Sequence, residues 1–360
     1  MRRRLEAIPL KRLNPVPMVF FGLFLVGLIA SGMSPAFVFN DLITRFCRDG
    51  ILVLALVLPI AAGMGINFAI VVGAMCAQAG LLVAIILRVN GPGGFFLAGL
   101  LGIALSIAVG YLIGRALNRV KGKEMIATII IGLMVTGIYQ LVFMVGYGTV
   151  IPAHNQDIVL SRGIGVRSMV DLAPYRSMLD NLWTVHIGRL TIPVFMVLVV
   201  LLACLLMAWL VRTRPGKRVR AVGDDMQRAE LLGVNVDRTR ILVMVLSLVI
   251  ACIGQMVYLQ NIGMLNVYTA HGNSDTFSAA AILAGGATIR EARVRNVILG
   301  IFLFHALFIV SPQAGQNIFG NPALGEYFRS FIAYGTIALA LILNARRRRT
   351  TAAPAAAESV

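Results

Sequence analysis

The chain has 360 residues, 59% hydrophobic and only 13% charged, with a formal net charge of +17. A mean hydropathy of +0.87 lies far outside the soluble range, and apolar runs recur at about the 20-residue length that crosses a bilayer core as helix. Period-two alternation is absent, which argues against a membrane barrel, and the positive charge follows topology rather than a nucleic-acid partner.

The opening segment, MRRRLEAIPLKR, imitates the charged region of a secretory signal. The apolar run behind it continues for about 20 residues, so the expectation is an uncleaved first span from Val16 to Phe39. Asp41, Arg45, Arg48 and Asp49 then read as a short outer segment. Residues Gly50 to Leu87 are too long an apolar stretch for one helix, and GMGIN, from Gly63 to Asn67, supplies a glycine-flanked break. Non-helical backbone at that depth is tolerated only where protein or a water-filled cavity covers it. VNGPGG is an outer turn, spans follow at Phe95–Leu117 and Met125–Val145, and residues 146–189 form a long external loop carrying Asp157, Asp171 and Asp180.

Another span is expected at Leu190–Val211, before a basic polar island over residues 212–240. Within it, GDDMQRAELLG reads as a very short helix with Asp224 as N-cap, Gln227 three residues on as in a capping box, and Gly233 as its stop. Asp225 complements the positive helix end, and Met226, Ala229 and Leu232 are expected on one face. Further segments follow at Ile241–Asn261, Thr276–Ala287, Asn296–Val310 and Tyr327–Asn344. The charged turn TIREARVR precedes the segment Asn296–Val310. Each half therefore holds a glycine-marked apolar hairpin, Gly50–Leu87 and Thr276–Val310, a pattern that points to a transport path in duplicated transporter folds.

Alternating the loops between two sides places 24 of the 32 Lys and Arg on one side. This positive-inside asymmetry puts both termini in the cytoplasm. The expected fold is all-α: a polytopic membrane protein of about ten transmembrane helices, some broken or re-entrant. One transmembrane domain covers residues 1–345, followed by a basic and then Ala-rich cytoplasmic tail, 346–360.

No Asp, Glu, Lys or Arg falls in the middle of an expected span; Glu124, Asp275 and Glu326 sit at ends. A central charge costs about 2.5–3.5 kcal/mol on insertion scales, so its absence weighs against a proton-driven carrier. The interior polar residues are neutral, namely Asn67, Gln78, Thr136, Tyr139, Gln140, Gln255, Tyr258, Gln260 and Asn261. Amides and phenols suit an uncharged, hydroxyl-rich solute, although such groups also serve simply as hydrogen bonds between helices. Asn67, Gln78, Gln255, Tyr258, Gln260 and Asn261 are the candidate translocation-path residues. Gly99, Gly102, Gly110 and Gly114 read as close helix packing. His154, His186, His271 and His305 share no ligand spacing, and Cys47, Cys76, Cys204 and Cys252 are dispersed, so neither a metal site nor disulfides are expected. A P-loop, GxSxG or HExxH is lacking, which leaves no visible catalytic residues.

The pieces GKRVRAVGDDMQRAELLGVNVDRTRILVMVLSLVIACIGQMVYL and TFSAAAILAGGATI resemble the permease subunits of bacterial ABC importers for simple sugars. These form the ribose-permease-like branch of the branched-chain amino-acid and sugar permease superfamily. The first-half GMGINFAIVVGAM is similar to that family's GGIDLSVGS region, with Asn67 where the family has an acid. Gly285 and Gly286 match a glycine-rich run whose later glycines are charged residues here. The resemblance implies that residues 212–240 form a cytoplasmic coupling region docking into a separate ATPase. Asp224, Asp225, Arg228, Ala229, Glu230, Leu232 and Gly233 would be its coupling residues. It implies a second permease, identical or paralogous, an extracytoplasmic solute-binding protein, surrounding lipid and a multi-pass place in the bacterial inner membrane. This chain would bind no cofactor, with ATP and Mg used by the partner ATPase. The transported solute would be a sugar, polyol or nucleoside. The alternatives are a permease for branched-chain amino acids or another small organic solute, or an ion-coupled secondary carrier.

Overall fold

A computed structural model describes residues 15–152, 155–160, 163–188, 190–321 and 323–331, with 334, 335, 337–339 and 342. The basic N-terminal segment, His154, Arg189, the end of the last expected segment and the 346–360 tail lie outside these residues.

The first helix, α1 (Pro15–Ser31), ends well short of Phe39. Gly32 takes a left-handed φ of 63°, and Ser34 then caps α2 (Pro35–Leu54), accepting from Phe37 N with proline in the first turn. The supposed outer segment is therefore helical: Asp41, Arg45, Arg48 and Asp49 all lie on α2. Two ion pairs, Arg45–Asp41 at 2.9 Å and Arg48–Asp49 at 3.0 Å, let this helix carry charge into a packed setting. Arg48 and Asp49 thus lie on a 20-residue helix that is not among the membrane-length apolar ones, and not in an outer loop. Composition hid this because the apolar run starts only at Gly50, far inside the helix.

The break falls where glycine placed it. A five-residue α3 (Val57–Ala61) leads into a non-helical stretch with Gly63 and Gly65 at left-handed φ values of 74° and 77°, and α4 (Ile70–Ile86) follows. Thirteen positions of α4 are buried, as a helix apolar on every face should be. Helix α5 (Gly91–Asn118) crosses α10 (Val236–Ile262) closely. A Cβ at Gly110 or Gly114 would lie 2.9 or 2.8 Å from the α10 backbone, and one at Gly102 2.9 Å from Cys252 Sγ. Gly99 meets nothing nearer than 3.9 Å and is no packing seam. Helix α6 (Glu124–Leu141) continues as one π turn to Gly146.

The segment after Gly146 folds over the bundle end rather than hanging as a loop. Strand β1 (Met169–Asp171) pairs antiparallel with β4 (Met264–Asn266), Val170 opposite Leu265. Strands β2 (Thr184–Ile187) and β3 (Leu190–Pro193) make a hairpin. Four short strands thus qualify the all-α expectation, and Leu190–Pro193 is strand where a span was expected. Helix α7 begins only at Val194 and runs to Arg212. Tyr175 donates to Val89 O at 2.5 Å, and Tyr268 to Val166 O at 2.6 Å. Burial raises both phenol pKa values, which keeps them donors.

Helices α8 (Arg214–Asp224) and α9 (Met226–Leu231) form the island; α11 (Ser274–Ala284) and α12 (Val294–Phe319) form the second interrupted hairpin. Residues 323–331 are again helical. Among the described residues five helices are long and apolar enough to cross a membrane: α5, α6 with its π turn, α7, α10 and α12. Helices α1 and α4 are shorter apolar ones. The molecule is predominantly helical, and its apolar helices suit a multi-pass membrane protein.

Candidate functional site

Two places carry the chemistry, at opposite ends of α10, whose 27 residues extend about 40 Å. At its N-terminal end lies the island. The cap of α9 is Asp225, not Asp224: Asp225 is extended (φ −159°, ψ 113°), and its Oδ1 accepts from Gln227 N at 2.9 Å and Arg228 N at 3.0 Å. Asp224 is instead the last residue of α8, which carries proline in its first turn and runs on through Gly223. Gly233 ends α9 with a φ of 76°. Gly233 N reaches Glu230 O and Val234 N reaches Ala229 O, the paired bonds of a Schellman stop.

Of the three residues expected on one face, Ala229 is buried against Val222 and Val236, and Met226 packs beside them. Leu232 points away at 79% exposure, and Leu231 at 88%. Glu230 and Arg228 are exposed as well. A two-turn helix is marginal alone; here its inner face is anchored and its outer face, with two leucines, meets no described residue that buries it.

The anchor reaches deep into the bundle. Arg240, wholly buried, donates Nη2 to Glu124 Oε1 at 2.6 Å and to Leu117 O at 3.2 Å, and Nε to Asn118 Oδ1 at 2.9 Å. Its Nη1 approaches Met226 S at 3.7 Å. One side chain thus joins α10, the α5–α6 turn and the island. Alongside, α8 touches the first break directly: a Cβ at Gly223 would stand 2.2 Å from Ala61 O, and one at Gly63 3.0 Å from Gly223 Cα. The second break comes to the same place, since Gly63, Gly65, Glu124, Ile289 and Arg290 line one cleft. The basic residues of the α5–α6 turn, the island and the 290–295 turn share this end.

The other place is a cavity of about 390 Å³ between α2, α10, α11 and α12, bordered by β1, β4 and the turn after β4. Gln255, Tyr258, Asp49 and His305 line it, with Asn266, Thr269, Phe277 and Ser278 among the remaining wall. His305 Nε2 lies 3.2 Å from Asp49 Oδ2, and the Arg48 guanidinium sits 5.1 Å over the Tyr258 ring. Gln255 is oriented by donating to Ala270 O at 3.1 Å.

The other candidate path residues are placed elsewhere. Asn67 donates to Ser247 Oγ and accepts from Ala69 N, while Ser247 donates to Ala55 O, so Asn67 ties the break to α10. Gln78 contacts His271 at 3.1 Å, beside Tyr139. Gln260 accepts from Leu179 N and Asn261 donates to Asp180, both holding the 146–189 segment. Thr136 bonds back to Gly132 O, and Gln140 reaches Tyr268 O. His186 faces solvent beside Thr191. The four cysteines are buried and unpaired.

Interrupted apolar hairpins, membrane-length helices and a capped helix at the basic end are the features of a multi-pass membrane protein. The family model described as the permease component of branched-chain amino acid transport systems matches residues 37–341, and the chain belongs to that family. It is 28% identical over 227 residues to the fructose import permease protein of Rhizobium meliloti, covering 63% of this chain and 57% of that one. It is 31% identical over 151 residues to the autoinducer 2 import system permease of Enterobacter sp. strain 638, 42% of each. The nucleoside ABC transporter permease of Lactococcus lactis subsp. cremoris is 27% identical over 256 residues, 67% of this chain and 73% of that one. The chain thus spans about half the length of the first two relatives. No solved structure matches it.

Proposed function

We propose that this chain is the transmembrane subunit of an ATP-driven importer for a small, polar, neutral solute: a sugar, polyol or nucleoside. The observation that carries the reading is helix α9, capped by Asp225, anchored through Ala229, and presenting Leu231 and Leu232 outward at 88% and 79% exposure. Paired exposed leucines on an anchored helix at an aqueous end suit a protein partner. An ATPase that receives this helix would move Arg240, Gly223 and both breaks with it, because all four are in contact or share one cleft. The basic end is then cytoplasmic, ATP and Mg belong to the partner, and a binding protein delivers solute at the opposite end. A second permease, identical or paralogous, completes the path. Transport follows from partners that bind the two conformations unequally, not from tight solute binding.

A second reading, an ion-coupled carrier, draws on the pairing of half-buried Asp49 with buried His305, since intramembrane ionisable pairs mark proton relays. Uptake into proteoliposomes separates the two. ATP-dependent uptake that requires an ATPase supports the importer, and its loss in Glu230→Lys supports α9 as the coupling element. Transport by the purified chain alone under a proton or sodium gradient establishes the carrier instead.

A further inference from the structure

The cavity beside α2 holds a carboxylate and an imidazole whose arrangement suits a ligand better than it suits packing. Asp49 Oδ2 accepts from Arg48 Nη2 at 3.0 Å and Oδ1 from Arg48 Nε at 3.3 Å, so its charge is matched on the spot. Arg45 is likewise paired with Asp41. With His305 Nε2 set toward Asp49, Nδ1 is left as an acceptor, and it is buried without a partner among the described residues. The imidazole thus brings a second polar side chain to the cavity wall beside the Asp49 carboxylate, and Nε2 is its atom nearest that carboxylate.

The wall chemistry limits what solute the cavity can take. Carboxylate oxygens keep lone pairs beyond those that Arg48 and His305 occupy, and bonds to an ionised acceptor are stronger than neutral ones. A cationic solute would compete with Arg48 for Asp49, and an anionic one would face that carboxylate. A zwitterionic amino acid would need a free cation for its carboxylate, whereas Arg48 is held by Asp49 and the Tyr258 ring. A neutral molecule with several hydroxyls meets none of these costs. Phe277 and Tyr258 offer apolar surface to its C–H faces, and a volume of about 390 Å³ falls in the range of small-molecule sites.

We infer that Asp49 and His305 are the solute-contacting pair of a binding site within the bundle that takes a neutral, polyhydroxylated solute, with Gln255 and Thr269 as further contacts. The inference rests on the importer reading above and adds to it the site and the residues that choose the solute.

The test uses proteoliposomes holding the full chain with its ATPase and binding protein, offered D-fructose, D-ribose, adenosine, a deoxy analogue of each, and leucine. The expected result is uptake of a hydroxylated solute in preference to its deoxy analogue. Asp49→Asn and His305→Gln should then cut uptake at sub-saturating solute about tenfold and flatten that preference, in complexes that still co-purify with the ATPase. Flattened preference is a readout that a merely structural role would not move. If Asp49 variants do not assemble, Gln255→Ala and Thr269→Ala probe the same wall, and a raised apparent KM is expected. Unchanged KM and preference in every assembled variant overturns the inference, as does preferred uptake of leucine. A wild-type assembly with no ATP-driven uptake of anything fails the importer reading, and this inference falls with it.

Discussion

Arg240 and Glu124 meet at 2.6 Å with side chains 0% and 6% exposed, a buried ion pair between residues 116 positions apart. The Glu124 carboxylate sits in the first turn of α6, where the helix dipole favours a negative charge. Arg240 spreads its remaining donors over Leu117 O and Asn118 Oδ1. Removing one partner of such a pair leaves an uncompensated buried charge and costs about 3–5 kcal/mol, while replacing both by apolar groups is often near neutral. Arg240→Met and Glu124→Leu are each expected to lower the unfolding midpoint in detergent strongly, and the double variant to recover much of the loss. A double variant no better than the sum of the singles would show that the two residues act independently.

Gly223 and Gly63 make the other link between the island and the break. A methyl at Gly223 would sit 2.2 Å from the Ala61 carbonyl oxygen, a backbone atom that gives way only if α3 or α8 shifts. Overpacking of this kind costs about 1–3 kcal/mol. Gly223→Ala is therefore expected to fold with a lowered midpoint and to lose much of its uptake, because the contact that would carry force is displaced. Gly22, which has open space around its Cβ direction inside α1, is the control, and Gly22→Ala should keep its uptake with a midpoint no lower than wild type, since alanine favours helix over glycine.

Much of the helix frame was legible because it depends on local signals. The break at GMGIN, the stop at Gly233 and the seams at Gly102, Gly110 and Gly114 were all marked by glycine itself. The start of α2 was hidden because Gly32 to Pro35 sits inside an apolar run, where composition outweighs a stop-and-cap signal. Asp224 and Asp225 are adjacent acids, and only the backbone conformation tells which one caps. Of the candidate path residues, Gln255 and Tyr258 reach the cavity wall, and Asn67, Gln260 and Asn261 bond to protein neighbours. Asp49 with His305, and Glu124 with Arg240, were out of reach for a different reason: each pair is brought together only by tertiary packing, with nothing local to announce it.

The cap assignment has its own test. Asp225 holds two amides at the start of α9, and loss of an aspartate cap typically costs about 1 kcal/mol. Asp225→Ala should speed hydrogen exchange at Gln227 and Arg228 by roughly fivefold, the factor that about 1 kcal/mol corresponds to. Asp224→Ala, at an exposed helix end, should leave those amides within about twofold of wild type, as surface changes of under 0.5 kcal/mol do. The reverse ranking would return the cap to Asp224.

Leu231 and Leu232 separate docking from folding most cleanly. At 88% and 79% exposure they contribute little to the fold, so Leu231→Ser with Leu232→Ser should shift stability by no more than about 0.5 kcal/mol per site. At an interface the same leucines would fill a partner's pocket, and burying each would be worth about 1.5–3 kcal/mol. If the chain is the proposed importer subunit, the double variant keeps its unfolding midpoint in detergent while the partner ATPase no longer co-purifies and ATP-dependent uptake ceases. Ala229→Ser tests the opposite case, because it disturbs the inner contact with Val222 and Val236 and should lower local stability before it touches docking. If the double leucine variant retains the ATPase at wild-type yield, the outward face of α9 is not where the partner binds.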